Sequence, residues 1–174
     1  MIIQCDTREH DSEWARVEQQ LDALGVQWFR NKLYIGDYMC LDNPKLVIDR
    51  KKNLEELCSN IFSEDHNRFR REMIRAQELG VQIIILIEHG KDIQGMNDII
   101  WWDRPETVRY RKVDGKWVNY TVKRIAGESL VKAMHTISEK YGIKYAFCDK
   151  SSTGEAIVRI FEHDQRRNKD KIHD

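Results

Sequence analysis

Residues Val81 to Ile87 read Val-Gln-Ile-Ile-Ile-Leu-Ile, a nearly unbroken apolar run between Gly80 and Glu88. A run this short and β-branched suits a strand covered on both faces, in the middle of a sheet. Such a strand needs helices above and below it, and the flanking sequence supplies them. Ile2 to Cys5 forms a first apolar strand ending at Asp6. Ser12 then reads as a cap for a helix carrying Trp14, Val17, Leu21 and Leu24, which Gly25 stops. Val26–Phe29, Leu33–Met39 and Leu46–Ile48 read as three strands joined by short polar turns, with Asn43-Pro44 marking the last turn. Asn53 caps a helix with Leu54, Leu57, Cys58 and Ile61, and a second helix presents Phe69, Met73, Ala76 and Leu79. After residue 127, Leu130, Met134, Ile137 and Tyr141 return at helical spacing, and Ile143–Cys148 reads as a strand. Ser152 and Glu155 have the spacing of a capping box before a last helix with Ile157, Ile160 and Phe161. This order predicts an α/β sandwich with a mixed central sheet flanked by helices.

The expected organisation is one domain over residues 1–164, with a core of 1–90 and 127–164. An insertion of about 91–126 separates the two parts, and a charged tail covers 165–174. Within the insertion, Asp114-Gly115 reads as a hairpin turn between two basic, aromatic-bearing runs. The four cysteines form no CxxC pair, so they read as free thiols of a reducing compartment. No apolar run approaches the roughly 20 residues needed to span a bilayer, and no signal peptide is visible. The expected location is a cytoplasm, with no membrane partner and no small-molecule cofactor.

Lysine plus arginine and aspartate plus glutamate each number 29, which excludes a general polycation. The charge is nevertheless uneven. Residues 1–42 are acidic on balance, whereas Arg104 to Arg124 is strongly basic. Two acids, Asp37 and Asp49, fall on neighbouring expected strands, and Lys51 lies two positions after Asp49. Side chains two apart in an extended chain point the same way. Antiparallel pairing would therefore gather two carboxylates and an ammonium. Phosphodiester hydrolysis uses such a set: carboxylates suit a hard cation such as Mg2+ or Mn2+, and an ammonium offsets charge at phosphorus.

These residues also carry a resemblance. Gly36-Asp37, Asp49-Arg50-Lys51 and Glu55 look like the GD…ERKxxxD signature of XPF-type nucleases, within the PD-(D/E)XK superfamily. Asp6-Thr7-Arg8-Glu9 is similar to that domain's DxRE start. Arg68-Phe69 falls at its glycine-arginine-aromatic segment, and Ile84 to Glu88 at its apolar strand ending in glutamate. The resemblance runs from Ile2 to about Glu88. It implies a restriction-endonuclease-like fold and divalent-metal cleavage of branched, flap or junction DNA. By the same resemblance Asp6, Asp37 and Asp49 are metal-side carboxylates, and Lys51 is the catalytic lysine. Arg8, Arg50 and Arg68 then lie near phosphates, a homodimer is implied, and the stand-alone form is similar to bacteriophage nucleases acting in an infected bacterial host. The sequence departs from the signature at Asp49 (usually glutamate), Glu55 (usually aspartate) and Asn67 (usually glycine).

Glu55 and Glu88 are secondary candidates. Glu55 equally suits the first turn of a helix, and Glu88 equally suits a solvated strand end. Arg109, Arg111, Lys112 and Lys116, interleaved with Tyr110, Trp117 and Tyr120, suit phosphate contact and base stacking, or else a subunit contact. The leading expectation is a metal-dependent DNA endonuclease. Its rivals are a junction resolvase or restriction-type enzyme on the same fold, and a non-catalytic DNA-binding or scaffold protein that keeps the fold.

Overall fold

The computed structural model describes residues 1–8, 11–63, 66–90 and 92–170, with side chains up to residue 166. Glu9 of the DxRE-like start lies outside the described residues. In chain order the elements are β1 (Ile2–Cys5), α1 (Asp11–Ala23), β2 (Gln27–Arg30), β3 (Tyr38–Cys40) and β4 (Asn43–Lys51). Then come α2 (Leu54–Phe62), α3 (His66–Glu78), β5 (Gln82–Glu88), α4 (Met96–Ile99) and β6 (Asp103–Arg104). The chain continues through β7 (Thr107–Val113), β8 (Lys116–Val122), β9 (Ile125–Ala126), α5 (Gly127–Tyr141), β10 (Lys144–Cys148) and α6 (Thr153–Asp170).

Six strands form one mixed sheet in the order β10-β5-β4-β3-β1-β2. β3 runs antiparallel to both β1 and β4, while the pairs β1–β2, β4–β5 and β5–β10 are parallel. The apolar run around Ile83–Ile87 is thus an inner strand, as its composition predicts. Period-two alternation along it feeds two cores. Ile83, Ile85 and Ile87 pack with Leu57 of α2, Met73 of α3 and Leu130 of α5. Leu86 packs on the other face with Val17 and Leu21 of α1 and Phe161 of α6. The fold is the expected α/β arrangement of a mixed sheet between helices. Among the described residues no helix is long and apolar enough to cross a membrane.

Several local expectations change. The expected strand Leu33–Met39 is mostly a loop, and only Tyr38 and Met39 of it lie in β3. Gly36, at φ +67°, sits in the left-handed region that breaks an extended run. Leu33 and Ile35 are buried without forming a strand. β4, by contrast, is longer than expected, so Asp49 and Lys51 lie inside a strand and not beyond its end. β2 pairs only with β1 and does not meander into β3. α1 begins at Asp11, placing Ser12 within its first turn. At α6 the capping box does not form, because Ser152 Oγ donates to the Asp149 carbonyl and Glu155 pairs with Arg159. The Gln20 side chain instead accepts from Gly154 N–H at 2.7 Å, so α1 caps α6 across the structure.

Between β5 and α5, the short pair β6–β9 closes the base of a ribbon made of β7 and β8. Its turn is Asp114 (φ 49°) and Gly115 (φ 80°), the two positive φ values that a two-residue turn of matching twist requires. Every residue of β7 is exposed, as is β8 from Lys116 to Thr121. The ribbon therefore adds almost nothing to either core. Replacing residues 107–122 by a short Gly-Ser turn is expected to change unfolding free energy by less than about 1 kcal/mol in urea titrations, the range of surface changes.

Candidate functional site

The site grows from the end of β4. Val47 faces the core shared with α2 and α3, and two-residue alternation carries Asp49 and Lys51 to that same face. Leu46 and Ile48 face the α1–α6 core, and Arg50 follows them to that side. Asp49 and Lys51 are both buried, and Lys51 Nζ donates to Asp49 Oδ1 at 2.8 Å. The same ammonium lies 5.5 Å from the centre of the Phe69 ring of α3, a cation–π placement.

Asp37 arrives from the loop before β3. Its backbone N–H donates to the Ile48 carbonyl at 2.8 Å, and its Oδ2 accepts from Arg50 N–H at 2.7 Å. Both bonds lash the Asp37 carboxylate alongside β4. Gly36 makes this approach possible, since a Cβ there would stand 2.9 Å from the Ile48 oxygen. The Gly36 N–H also donates to Glu72 of α3 at 3.0 Å. Asp37, Asp49 and Lys51 are thus brought together, as the sequence predicts.

Asp6 is adjacent, its N–H donating to the Asp37 carbonyl at 2.8 Å. Its buried carboxylate accepts from Leu33 N–H at 3.4 Å and from Arg8, through both the backbone N–H and Nε. The Arg8 Nη2 group completes an ion pair with it. That hydrogen bonding holds the Arg8 pKa above its usual value. Asp6 therefore stands at the site with its carboxylate engaged by protein donors.

These groups line a cleft of about 720 Å³. Its acids are Asp6, Glu13, Asp37, Asp49, Glu56 and Glu72. Its rim is basic, with Arg8 and the α3 residues Arg68, Arg71 and Arg75. The three α3 arginines recur at 3- and 4-residue spacing, on a different face from the buried Phe69, Met73 and Ala76. Arg75 is held at 4.5 Å over the Tyr34 ring and donates to the Tyr34 carbonyl. Arg68 was legible in the sequence; Arg71, Arg75, Glu72 and Tyr34 were missed. The helical spacing from Arg68 was the available signal for Arg71 and Arg75. Arg70 turns instead toward Tyr141 of α5.

The secondary candidates sit elsewhere. Glu55 is exposed and meets Arg109 of the ribbon at 3.5 Å, outside the cleft. Glu56 occupies the cleft instead, accepting from Lys52 N–H at 2.9 Å while its own N–H donates to the Asn53 cap at 2.8 Å. One residue of helix turns a side chain by about 100°, so a shift of one position exchanges cleft for ribbon. Glu88 is neither at the cleft nor solvated. It is buried on the α1–α6 face and accepts from Arg16, from Arg50 at 2.9 Å and from Thr153 at 2.5 Å. Arg50 is thereby anchored behind the sheet while its backbone holds Asp37. Arg109, Arg111, Lys112 and Lys116 lie on the exposed ribbon and do not line the cleft.

Burial works against the Lys51 charge, but Asp49, Asp37 and Glu56 outweigh it and raise the pKa above 10.5. Lys51 is therefore an ammonium at neutral pH. Asp37, from the loop before β3, and Asp49, from β4, present hard oxygen donors. Among the described residues, however, no three His, Cys, Asp or Glu side chains form a group able to hold a metal ion. That donor set fits a Mg2+-type ion, which commonly uses one or two carboxylates and completes its shell with water and phosphate.

Two outcomes follow for the buried charges. Glu88→Ala strands two arginines and is expected to cost about 3–5 kcal/mol by chemical denaturation, with Glu88→Gln less damaging. Lys51→Met is expected to cost a similar amount at pH 7 by leaving Asp49 unpaired. Because the folded-state Lys51 pKa is raised, its contribution is complete below the unfolded value of about 10.4. It fades as pH rises through the folded value. The stability gap between wild type and Lys51→Met should thus be flat from about pH 7 to 9 and narrow in stronger alkali.

The ERCC4 domain family model matches residues 5–160. Among curated proteins there is no significant match. Two solved structures share the fold. XPF from Aeropyrum pernix superimposes with a TM-score of 0.63 at 22% identity, over 99% of this chain and 69% of that one. XPF from Aeropyrum pernix in complex with DNA gives 0.61 at 21% identity, over 95% of this chain and 66% of that one. With the family match spanning most of its length, the chain belongs to the ERCC4 domain family, and its fold is that of the A. pernix XPF structures.

Proposed function

We propose that this protein is a divalent-metal-dependent endonuclease that hydrolyses phosphodiester bonds in DNA, using Mg2+ or Mn2+. The observation that carries the reading is the convergence of Asp37, Asp49 and Lys51 in an acid-floored cleft rimmed by Arg8, Arg68, Arg71 and Arg75. A polyanion is drawn by the rim, and the floor supplies what the scissile phosphate needs. Asp37 and Asp49 would hold the metal, with Asp6 at the edge of the set. A bound ion would polarise the phosphate and lower the pKa of an attacking water.

The chain's own groups account for the rest. Lys51, hydrogen-bonded to Asp49, would orient water and offset negative charge at phosphorus. Arg68 and Arg71 are exposed on α3 and present forked donors to phosphate oxygens. Arg50 contributes through its backbone, which positions Asp37. One A. pernix neighbour is a complex with DNA, which supports nucleic acid as the ligand. The preferred substrate is branched or flapped DNA, by family resemblance, and the homodimer is proposed on the same ground.

The test is a cleavage assay on duplex, flap, fork and four-way-junction DNA with Mg2+ or Mn2+. Asp49→Asn should lose cleavage by at least about a hundredfold while still binding DNA in EDTA. Arg68→Ala with Arg71→Ala should weaken binding to all sequences and lower the salt slope of log K by roughly 0.9 for each phosphate no longer neutralised. Binding with no metal-dependent cleavage on any substrate would favour the non-catalytic rival. A preference for four-way junctions alone would favour the resolvase.

A further inference from the structure

The β7–β8 ribbon has two faces, and its register sorts them. Residues directly opposite in an antiparallel pair share a face. Arg109 pairs with Tyr120 and Arg111 with Val118, so these four lie on one side. Tyr110 pairs with Asn119 and Lys112 with Trp117, placing Tyr110, Lys112 and Trp117 together on the other. The first side is engaged with the protein itself, since Arg109 meets Glu55 and Arg111 lies over the Tyr120 ring at 5.5 Å. On the second side Tyr110 and Trp117 are 66% and 71% exposed, and Val108 beside them is 58% exposed. Water-facing aromatic rings on a ribbon that supports no core have no stabilising role there.

We propose that this outer face binds single-stranded DNA, with the rings of Tyr110 and Trp117 stacking on unpaired bases and Lys112 meeting the phosphate backbone. Three observations select that occupant. The ribbon segment from Arg104 to Arg124 is strongly basic, with Glu106 and Asp114 its acids, so its partner is anionic. On the outer face the Tyr110 and Trp117 rings stand beside the Lys112 ammonium, which suits a ligand having both π-faces and phosphates. Bases inside a duplex already stack on one another and present only their edges, so the rings require unpaired ones. The ribbon is also tied to the cleft border: Arg109 holds Glu55, whose neighbours Lys52 and Glu56 line the cleft. An unpaired strand on the ribbon would leave adjoining duplex at the basic rim. This last step rests on the nuclease reading; binding to the ribbon does not.

The experiment measures fluorescence anisotropy of a labelled oligo(dT) of about twelve nucleotides, within the site sizes of single-strand binders. The full chain is used in EDTA, where no cleavage occurs, with a blunt duplex of equal length alongside. Tyr110→Ala with Trp117→Ala should weaken oligo(dT) binding by roughly tenfold or more, because each stacked base contributes appreciably, and should change duplex binding far less. Tyr110→Phe with Trp117→Phe keeps the rings and should keep oligo(dT) binding within about threefold, by the same stacking argument. Thermal melts check that both variants fold, as expected of exposed positions. Unaltered oligo(dT) binding in the alanine pair would overturn the proposal, as would equal losses on duplex. So would conversion of a dimer to a monomer in sedimentation, which would make the face a contact between copies. Ring-dependent oligo(dT) binding without cleavage of any substrate would retire the nuclease reading and leave this one standing. Cleavage without ring dependence would do the reverse.

Discussion

The Asp49–Lys51 pair lies at the end of an inner strand, buried between β5, α3 and the loop that carries Asp37. Each charge alone would be costly there, because the surroundings cannot solvate it as water does. Together, and with Asp37 and Glu56 adding field, they keep Lys51 charged in a place where burial alone would neutralise it. The pair thus keeps an acidic, polar cavity at the end of a sheet whose centre is hydrocarbon.

Alternation along β4 distributes the remaining work. Asp49 and Lys51 face the cleft, while the intervening Arg50 side chain joins Glu88 and Arg16 on the other face and meets Glu13 of the cleft lining. Its backbone meanwhile holds the Asp37 carboxylate. Three consecutive charged residues therefore divide between two faces, the cleft on one and an anchoring network on the other. The anchoring network is nearly all charge-assisted and spans α1, β4, β5 and the start of α6. It thereby ties the second core to the strand on which the site depends.

A zero net charge conceals a spatial division. Carboxylates collect on the cleft floor, arginines from α3 and Arg8 form its rim, and a further basic surface stands on the ribbon. Such an arrangement limits nonspecific adhesion while leaving a local positive field of the kind that attracts polyanions. The ribbon keeps its β-structure through a well-matched turn and full cross-strand register, with almost no burial.

Apolar periodicity and residue spacing were enough to reveal much of this protein. The inner strand at residues 82–88, the α/β class, and the meeting of Asp37, Asp49 and Lys51 all follow from short-range rules of strand and helix geometry. The ribbon turn was legible for the same reason, and Arg68 through the family resemblance of its segment. Partners far apart along the chain were not. That Glu88 would bind Arg16 and Arg50, that Gln20 would cap α6, and that Asp6 would be engaged by Arg8 and Leu33 depended on how elements pack across the sheet. The choice of Glu56 over Glu55 for the cleft depended on the rotational phase of α2, which is set by its cap and by the core it buries. Local sequence determines which faces are apolar and where chain direction changes. Which polar groups meet is decided only when those faces close on one another.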